Sequence, residues 1–179
     1  MQRPVILRPA TLSDAPGIAR VHFRAWRAAY ENLAPQEAWD LLDEPLRLRR
    51  WTAQLSGLGD HEAVLVAEMD DRVVGVGCAS APSQPLFGDR GEIRHLYLEP
   101  DLRGQGLGRR FMGALAGQLD AWGYDSAALG VVAGNASAIG FYRALGAREA
   151  GRYEDPGPVW RSSNLVLVWD DLGALTPRC

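Results

Sequence analysis

The 179-residue sequence predicts one α/β domain with a mixed central sheet of about six to seven strands, flanked by about four to five helices. Two strand-like runs, 92–98 and 127–132, are separated by a loop and a helix, which makes them parallel neighbours with a right-handed crossover. Two further pairs of runs, 63–67 with 73–79 and 148–153 with 165–169, are typical of antiparallel neighbours. This length suits a single domain, 1–179, with its core at 5–170.

Composition and charge exclude several classes of function. A formal charge of −3 argues against nucleic acid as the main partner, because such proteins usually carry a net basic face. The two cysteines, Cys78 and Cys179, form neither a disulfide framework nor a metal spacing, and the three histidines offer no zinc site. No apolar run is long enough to span a membrane. We expect a soluble cytoplasmic protein without a bound metal.

The remaining elements follow from local signals. A first strand at 5–7 precedes a helix that runs to Tyr30, and Ser13 is its expected N-cap because Pro16 is tolerated only in the first turn. Proline opens two short helices, and the prolines and glycines of 82–91 predict a flexible loop. Further helices are expected after the glycine-rich loop and before Gly146. The predicted helices after the first are 35–42, 45–55, 107–122 and 137–145.

The stretch from Glu92 to Arg110 organises the domain. In its strand, regular alternation places Ile93, His95 and Tyr97 opposite Arg94, Leu96 and Leu98. Glycines at 104, 106 and 108 then let the backbone turn tightly before a helix begins at Leu107. A helix that starts in glycines presents unpaired amides and a positive dipole end, which favours phosphate. The alternative is a glycine-eased turn surrounded by solvated arginines.

Two motifs together resemble those of one known family. The run Leu-Tyr-Leu-x-Pro followed by Arg103-Gly-Gln-Gly-Leu-Gly108 resembles the acyl-CoA loop, R/Q-x-x-G-x-G/A, of the GNAT superfamily of N-acetyltransferases. The stretch from Asn135 to Gly146 is similar to that superfamily's N-x-x-A-x-x-F-Y-x-x-x-G segment. The resemblance implies a GNAT-like domain with a splayed parallel strand pair, acetyl-CoA as the acetyl donor, and frequent homodimers.

The resemblance also implies where acetyl-CoA binds. Its pyrophosphate would lie on the amides of the glycine-rich loop, its pantetheine arm would run between the two parallel strands, and a backbone N–H near Leu98 would hold the acetyl carbonyl. Asn135 would hydrogen-bond the arm, although Asn135 or Ser137 could equally cap the following helix. The cofactor-binding residues implied are Leu96, Leu98, Arg103, Gly104, Gln105, Gly106, Leu107, Gly108, Arg109, Asn135 and Ser137.

Two residues match the family's acid and base. Tyr142 occupies the position of the acid that protonates the leaving thiolate, and its alternative is a core tyrosine bonded to a carbonyl. Glu92 matches a glutamate that takes the proton of the amine, directly or through water, and its alternative is an ion pair with Arg90 or Arg94. His95 is a weaker candidate for the base because regular alternation points it away from Glu92.

The resemblance also implies where the acceptor amine binds. In the resembled family the first helices wall the acceptor pocket, so Trp26 and Tyr30 are candidates to line it, unless they pack on the next helix. The leading hypothesis is direct transfer in a ternary complex to a primary amine of a small molecule. A protein or peptide acceptor and a non-catalytic acyl-CoA-binding sensor remain alternatives, and a Rossmann-like oxidoreductase is opposed by Arg109, where a third glycine would be needed.

Overall fold

A computed structural model describes residues 4–157 and 160–176. Within these residues, seven strands form one sheet: β1 (Ile6–Pro9), β2 (Glu62–Met69), β3 (Arg72–Ser80), β4 (Gly91–Leu98), β5 (Ala127–Val132), β6 (Arg148–Asp155) and β7 (Ser162–Trp169). Five α-helices accompany them in the same part of the chain: α1 (Ala15–Tyr30), α2 (Gln36–Leu41), α3 (Glu44–Ser56), α4 (Leu107–Ala121) and α5 (Ala136–Ala144).

The strand order across the sheet is β1-β2-β3-β4-β5-β7-β6, and all neighbours are antiparallel except β4 and β5. The predicted mixed sheet, its strand and helix numbers and the parallel pair are therefore confirmed. The turn between β2 and β3 has positive φ at Asp70 and Asp71, 51° and 57°, which is the type I′ geometry that suits the twist of a two-residue hairpin.

The two faces of the sheet bury different helices. On one face, α1 and α3 pack on β2 and β3 through side chains such as Ile18, Trp51 and Val76, all at most 3% exposed. On the other, Phe111 and Leu115 of α4 lie against β3, where Gly77 leaves room for them: a Cβ at Gly77 would lie 2.9 Å from Phe111. The sheet is thus covered on both sides around its centre.

The parallel pair comes apart after two residues. Only Gly91↔Ala127 and Glu92↔Ala128 are paired between β4 and β5, while β5 keeps its full register with β7. From Arg94 onwards β4 therefore has an edge that faces a gap, which is the expected splay. An opening at the carboxyl ends of parallel strands is the usual place for a ligand in such sheets.

A β-bulge corrects the expected alternation in β4. Cys78 is opposite His95 and Ala79 is opposite Ile93, so Arg94 is an extra residue that shifts the pleat by one position. Ile93 belongs to the cluster on the α4 face, whereas His95 contacts rings of α1 and α3. The prediction that His95 points away from the face of Glu92 is wrong, because an inserted residue inverts the parity on which it relied.

One local expectation also needs correction. Ser13 does not cap α1, because Asp14 closes a preceding 3₁₀ turn (Leu12–Asp14) by accepting from the Thr11 N–H at 2.7 Å and from Arg8 at 2.8 Å. The loop expected at 82–91 contains a 3₁₀ turn, Pro85–Phe87, in which Phe87 is 1% exposed and packs in a small cluster with Ala128 and Val168.

Two further observations concern the placement of the cysteines and the length of the helices. Cys78 lies buried in β3 as a free thiol, and Cys179 falls outside the described residues. Among the described residues, no helix is both long and apolar enough to cross a membrane.

Candidate active site

A cavity of about 750 Å³ opens where β4 and β5 separate. It brings together the glycine-rich loop before α4, the free edge of β4, the loop after β5 and the first turns of α5. Both sequence motifs therefore contribute to one site. The predicted residues that line it are Tyr30, Leu96, Leu98, Arg103, Gly104, Gly106, Gly108, Arg109, Asn135, Ser137 and Tyr142.

The N-terminus of α4 has the features of an anion site. Gly106 is its N-cap in the left-handed region, φ 83°, and Gly104 also has positive φ, 75°. A Cβ at either glycine would meet nothing within 4 Å, so the space beside them is open to a ligand. No acidic residue lies in the first turn of α4, and Arg103 and Arg109 line the adjacent cavity. A pyrophosphate would satisfy the free amides and both cations.

Two predicted residues of this loop lie apart from the cavity lining. The side chain of Leu107 is 5% exposed and packs with Phe111 in the core, so only its backbone could contact a ligand. The Gln105 side chain donates to the Asp101 carbonyl at 2.9 Å and holds the loop. The loop thus offers mainly backbone groups.

The free edge of β4 supplies backbone hydrogen-bonding groups to the same cavity. The Glu99 N–H bonds to the Val74 carbonyl, so Glu99 and Val74 form a hydrogen-bonded pair of the β3–β4 ladder. In an antiparallel ladder such pairs alternate with pairs whose N–H and C=O point outwards. This alternation directs the backbone groups of Leu96 and Leu98 away from β3, into the gap.

On the opposite wall, α5 presents Asn135 and Tyr142. The Asn135 carbonyl oxygen caps α5 by accepting from the Ala138 N–H at 3.2 Å, and its amide lies 3.4 Å from the Tyr30 hydroxyl. Capping by Asn135 rather than Ser137 is thereby settled. Tyr142 packs between Phe141 and Trp169, and burial together with the nearby Tyr30 raises the pKa of its phenol. No residue of the described chain forms a hydrogen bond with the Tyr142 hydroxyl at the cavity wall.

Glu92 and His95 occupy different positions relative to the cavity. Glu92 is 7% exposed, accepts from the Ser83 N–H at 2.7 Å and lies 3.9 Å from Arg94, and it is absent from the cavity lining. His95 lines the cavity directly. Burial first, and then the charges of Arg94 and Arg47, lower the pKa of His95 to about 4. The ring is therefore neutral at physiological pH.

An aromatic cluster, Trp26, Tyr30, Trp39 and Trp160, borders the cavity through Tyr30. Ring centroids are 4.7 Å apart for Trp26–Trp39 and 5.6 Å apart for Tyr30–Trp160. Only Tyr30 of the two predicted residues lines the cavity; Trp26 is 8% exposed and packs on the next helix, as its alternative reading held. Trp160 comes from the β6–β7 loop, 155–161, whose role sequence reasoning could not assign.

A second group, on the α1 and α3 side, escaped sequence reasoning. Trp51 donates to His22 Nδ1 at 3.1 Å, and Arg47 Nη1 lies 2.7 Å from His22 Nε2. The His22 ring stacks on Tyr97, which lines the cavity, at a centroid distance of 4.1 Å. These residues are scattered over α1, α3 and β4, so no local pattern in the sequence could have grouped them. Among the described residues, no cluster of three or more His, Cys, Asp and Glu side chains could hold a metal ion.

Comparison with known proteins supports what this geometry indicates. The model of the acetyltransferase (GNAT) family matches residues 25–147. The chain is 26% identical over 159 residues to an L-methionine sulfoximine/L-methionine sulfone acetyltransferase of Pseudomonas paraeruginosa, covering 84% of each protein.

Two solved structures share the fold. The ribosomal-protein-alanine N-acetyltransferase of Brucella melitensis superposes with a TM-score of 0.66 at 27% identity, over 92% of this chain and 98% of that one. The PaiA N-acetyltransferase of Thermoplasma acidophilum, solved with coenzyme A, superposes with a TM-score of 0.68 at 16% identity, over 92% and 98%. The family match, which spans more than half of the chain and both motifs, shows that this protein belongs to the GNAT family of acetyltransferases.

Proposed function

We propose that the protein transfers the acetyl group of acetyl-CoA to the primary amine of a small molecule by direct attack in a ternary complex. The observation that carries this proposal is the single cavity at the β4–β5 splay, which is lined by both family motifs and by Tyr142. Acetyl-CoA, when bound, supplies the activated acetyl group. The chain's own residues then have three tasks: to hold the donor, to remove a proton from the amine and to supply one to the thiolate.

The donor would be held mainly by backbone groups. The amides from Arg103 to Arg109 suit the pyrophosphate, and the outward N–H groups of Leu96 and Leu98 suit the pantetheine arm and the acetyl carbonyl. Asn135 and Ser137 face the same space from α5. Because Asn135 already caps α5 with its carbonyl oxygen, its amide group is the part left to meet the arm.

The acceptor must lose a proton before it attacks. A primary amine with pKa about 10.4 is protonated at pH 7, and its neutral form costs about 4.6 kcal/mol there. We assign the removal of this proton to Glu92 acting through water. The Glu92 carboxylate is absent from the cavity lining, but it lies next to Arg94, which lines the cavity. His95 is the alternative base, since the bulge turns it into the cavity, although its lowered pKa makes it a weak one.

The thiolate would receive its proton from Tyr142. The raised pKa of Tyr142 keeps its phenol protonated at neutral pH. No hydrogen-bond partner among the described residues competes for the phenolic proton. The position of Tyr142 at the cavity wall supports this role. No covalent enzyme intermediate is required.

We take the side of the cavity next to α1 and the aromatic cluster as the acceptor side, and its closure favours a small acceptor over a protein. Trp160 of the β6–β7 loop contacts both Trp26 and Tyr30 of α1, so aromatic rings cover the place where a polypeptide would need an open groove. The Pseudomonas relative acts on amino-acid derivatives, which have the size that such a space accepts. The Brucella enzyme is named for a protein acceptor, and a peptide therefore belongs in the test.

The experiment is a free-thiol assay with acetyl-CoA against polyamines, aminoglycosides, amino acids, L-methionine sulfone and peptides. We expect thiol release with at least one small amine and none with the peptides. Release with peptides alone would overturn the small-molecule assignment. Coenzyme A binding by calorimetry without thiol release on any amine would favour the non-catalytic sensor, and a lack of coenzyme A binding would overturn the function altogether.

A further inference from the structure

Arg47 is a buried arginine without an acidic partner. Arg47 is 4% exposed, and no carboxylate among the described residues lies within 4.0 Å of its guanidinium. Its Nε donates to the Leu42 carbonyl at 3.2 Å, whereas Nη2 is buried with no hydrogen-bond partner. Buried cations are normally paired, because leaving one unpaired is strongly destabilising.

The contact of Arg47 with His22 supplies no negative charge to the guanidinium. Arg47 and Trp51 can only donate hydrogen bonds, and they face the two ring nitrogens of His22. A neutral imidazole accepts at one nitrogen only, so it cannot satisfy both donors. Burial and the charge of Arg47 both lower the pKa of His22, so protonation of the ring is disfavoured as well. Nη2 of the guanidinium therefore lacks an acceptor among the described residues.

The surroundings of Arg47 connect this requirement to the acceptor side of the cavity. The Cζ atom of Arg47 lies 5.0 Å from the ring centroid of Trp26, which belongs to the aromatic cluster. The His22 ring, which Arg47 contacts, stacks on Tyr97 of the cavity wall. A cationic amine held close to an unpaired guanidinium would be repelled. An acceptor that also carries a carboxylate would be attracted instead, because it neutralises the arginine.

We propose that Arg47 binds the carboxylate of the acceptor, so that the substrate class of this site is amino acids with a free carboxylate rather than simple amines. The assignment rests on the proposed function, since it names the acceptor of the same reaction. Nη2 is the atom available for the bond. Trp26 lies next to the guanidinium, and Tyr97 stacks on the His22 ring that Arg47 contacts.

Binding requires a small rearrangement. Nη2 is out of contact with solvent, so a carboxylate reaches it only if an aromatic neighbour moves. Trp26 is the neighbour best suited to do so, because ring contacts hold it in place and rings can slide without the loss of a hydrogen bond. Tryptophan fluorescence therefore gives a readout of acceptor binding that is independent of turnover.

The test compares matched acceptors on wild type and Arg47→Met. One pair is L-methionine sulfone and 3-(methylsulfonyl)propylamine, which lacks only the carboxylate; L-norleucine and pentylamine form a second pair, and the amide of each amino acid keeps the size without the charge. We expect wild type to prefer the carboxylate member by at least about 100-fold in kcat/KM. Arg47→Met should abolish that preference and leave the KM for acetyl-CoA unchanged.

Two controls separate binding from folding. Arg49→Met removes an exposed arginine of the same helix and should preserve the preference. Arg47→Lys keeps a charge at the position and should recover part of the preference for the carboxylate acceptor, which covers the case in which Arg47→Met is poorly folded. The fluorescence change on adding L-methionine sulfone to the coenzyme A complex should be largest in wild type, smaller in Arg47→Lys and smallest in Arg47→Met. Equal use of both members by wild type, or equal slowing of both in Arg47→Met, would overturn the carboxylate site while leaving acetyl transfer intact. Absence of thiol release with every amine would instead contradict the proposed function.

Discussion

The hydroxyl of Tyr142 meets the cavity from a ring that is packed against Phe141 and Trp169. Replacement by phenylalanine keeps this packing and removes one proton donor. We expect Tyr142→Phe to lower kcat by about tenfold, with the KM for acetyl-CoA unchanged, because only the protonation of the thiolate is affected. Steady-state kinetics by thiol release measures both constants.

Tyr124→Phe is the matched control for that change. Tyr124 lies in the turn after α4, packs on the same core cluster and is absent from the cavity lining, so its loss of a hydroxyl should leave kcat as it is. An undiminished kcat in Tyr142→Phe would remove Tyr142 from the mechanism.

Glu92 and His95 can be distinguished by a second pair of variants. If Glu92 takes the proton through water, Glu92→Gln should lower kcat/KM by about 100-fold, whereas His95→Gln should have a smaller effect. Because the pKa of His95 is lowered to about 4, its protonation also cannot produce a fall in rate between pH 6 and 7. The pH profiles of kcat/KM for both variants test this, and a larger loss in His95→Gln would transfer the role of base to the histidine.

At the scale of elements, α4 depends on its first residues for binding and on its later ones for stability. Gly106 holds φ 83° at the N-cap, a conformation that a β-branched residue adopts only with strain. We expect Gly106→Val to weaken coenzyme A binding at least tenfold, because the amides that follow would be misplaced. Calorimetry with coenzyme A gives the affinity.

Gly117 of the same helix provides the contrast. It is exposed, and a Cβ there would meet nothing within 4 Å, so Gly117→Ala should raise the free energy of unfolding by about 0.5–1 kcal/mol without changing coenzyme A affinity. Equal affinities for Gly106→Val and wild type would show that the phosphate position lies elsewhere.

The bulge in β4 shows how one element can redirect a site. The strand was predictable at 92–98 from its β-favouring residues, and it is observed at Gly91–Leu98. The side on which each residue lies was not predictable, because the extra residue at Arg94 is visible only in the pairing with Cys78 and Ala79. The same shift places His95 with His22 and Trp51, and so builds the group around Arg47.

For the molecule as a whole, the buried histidines should make stability depend on pH. His22 and His95 have folded-state pKa values below the ordinary 6.5, mainly because they are buried. Between pH 6.5 and about 4 the unfolded chain binds a proton at His95 that the folded protein does not, and burial of His22 acts in the same direction. The free energy of unfolding should therefore fall on acidification, by at most about 1.4 kcal/mol per pH unit for His95.

Protonation of paired carboxylates affects the stability only at lower pH. Arg8 lowers the pKa of Asp14 to about 2, so the stability from this pair is present above pH 3.8 and is lost only as the pH falls towards 2. Urea unfolding at pH 7.0 and 5.0 isolates the histidines, and His95→Gln should reduce the difference. Identical free energies of unfolding at the two pH values in wild type would contradict the burial of neutral histidines.

The sequence by itself determined the parts of this protein that are local. Strand and helix positions, the parallel pair and the glycine-rich N-terminus of α4 all follow from periodicity, glycine placement and spacing along the chain. The two motifs also led to the family. These features depend on backbone geometry and on neighbours along the chain, which a linear pattern records.

Only the tertiary structure decided what the site contains beyond its backbone. The bulge in β4, the approach of Trp160 to α1, the withdrawal of Trp26 and Glu92 from the cavity lining, and the meeting of Arg47 with His22 depend on contacts between distant segments. The physical reason is that the burial and the charge balance of a side chain depend on all the elements packed around it. Among the described residues, none of those elements brings a carboxylate into direct contact with Arg47.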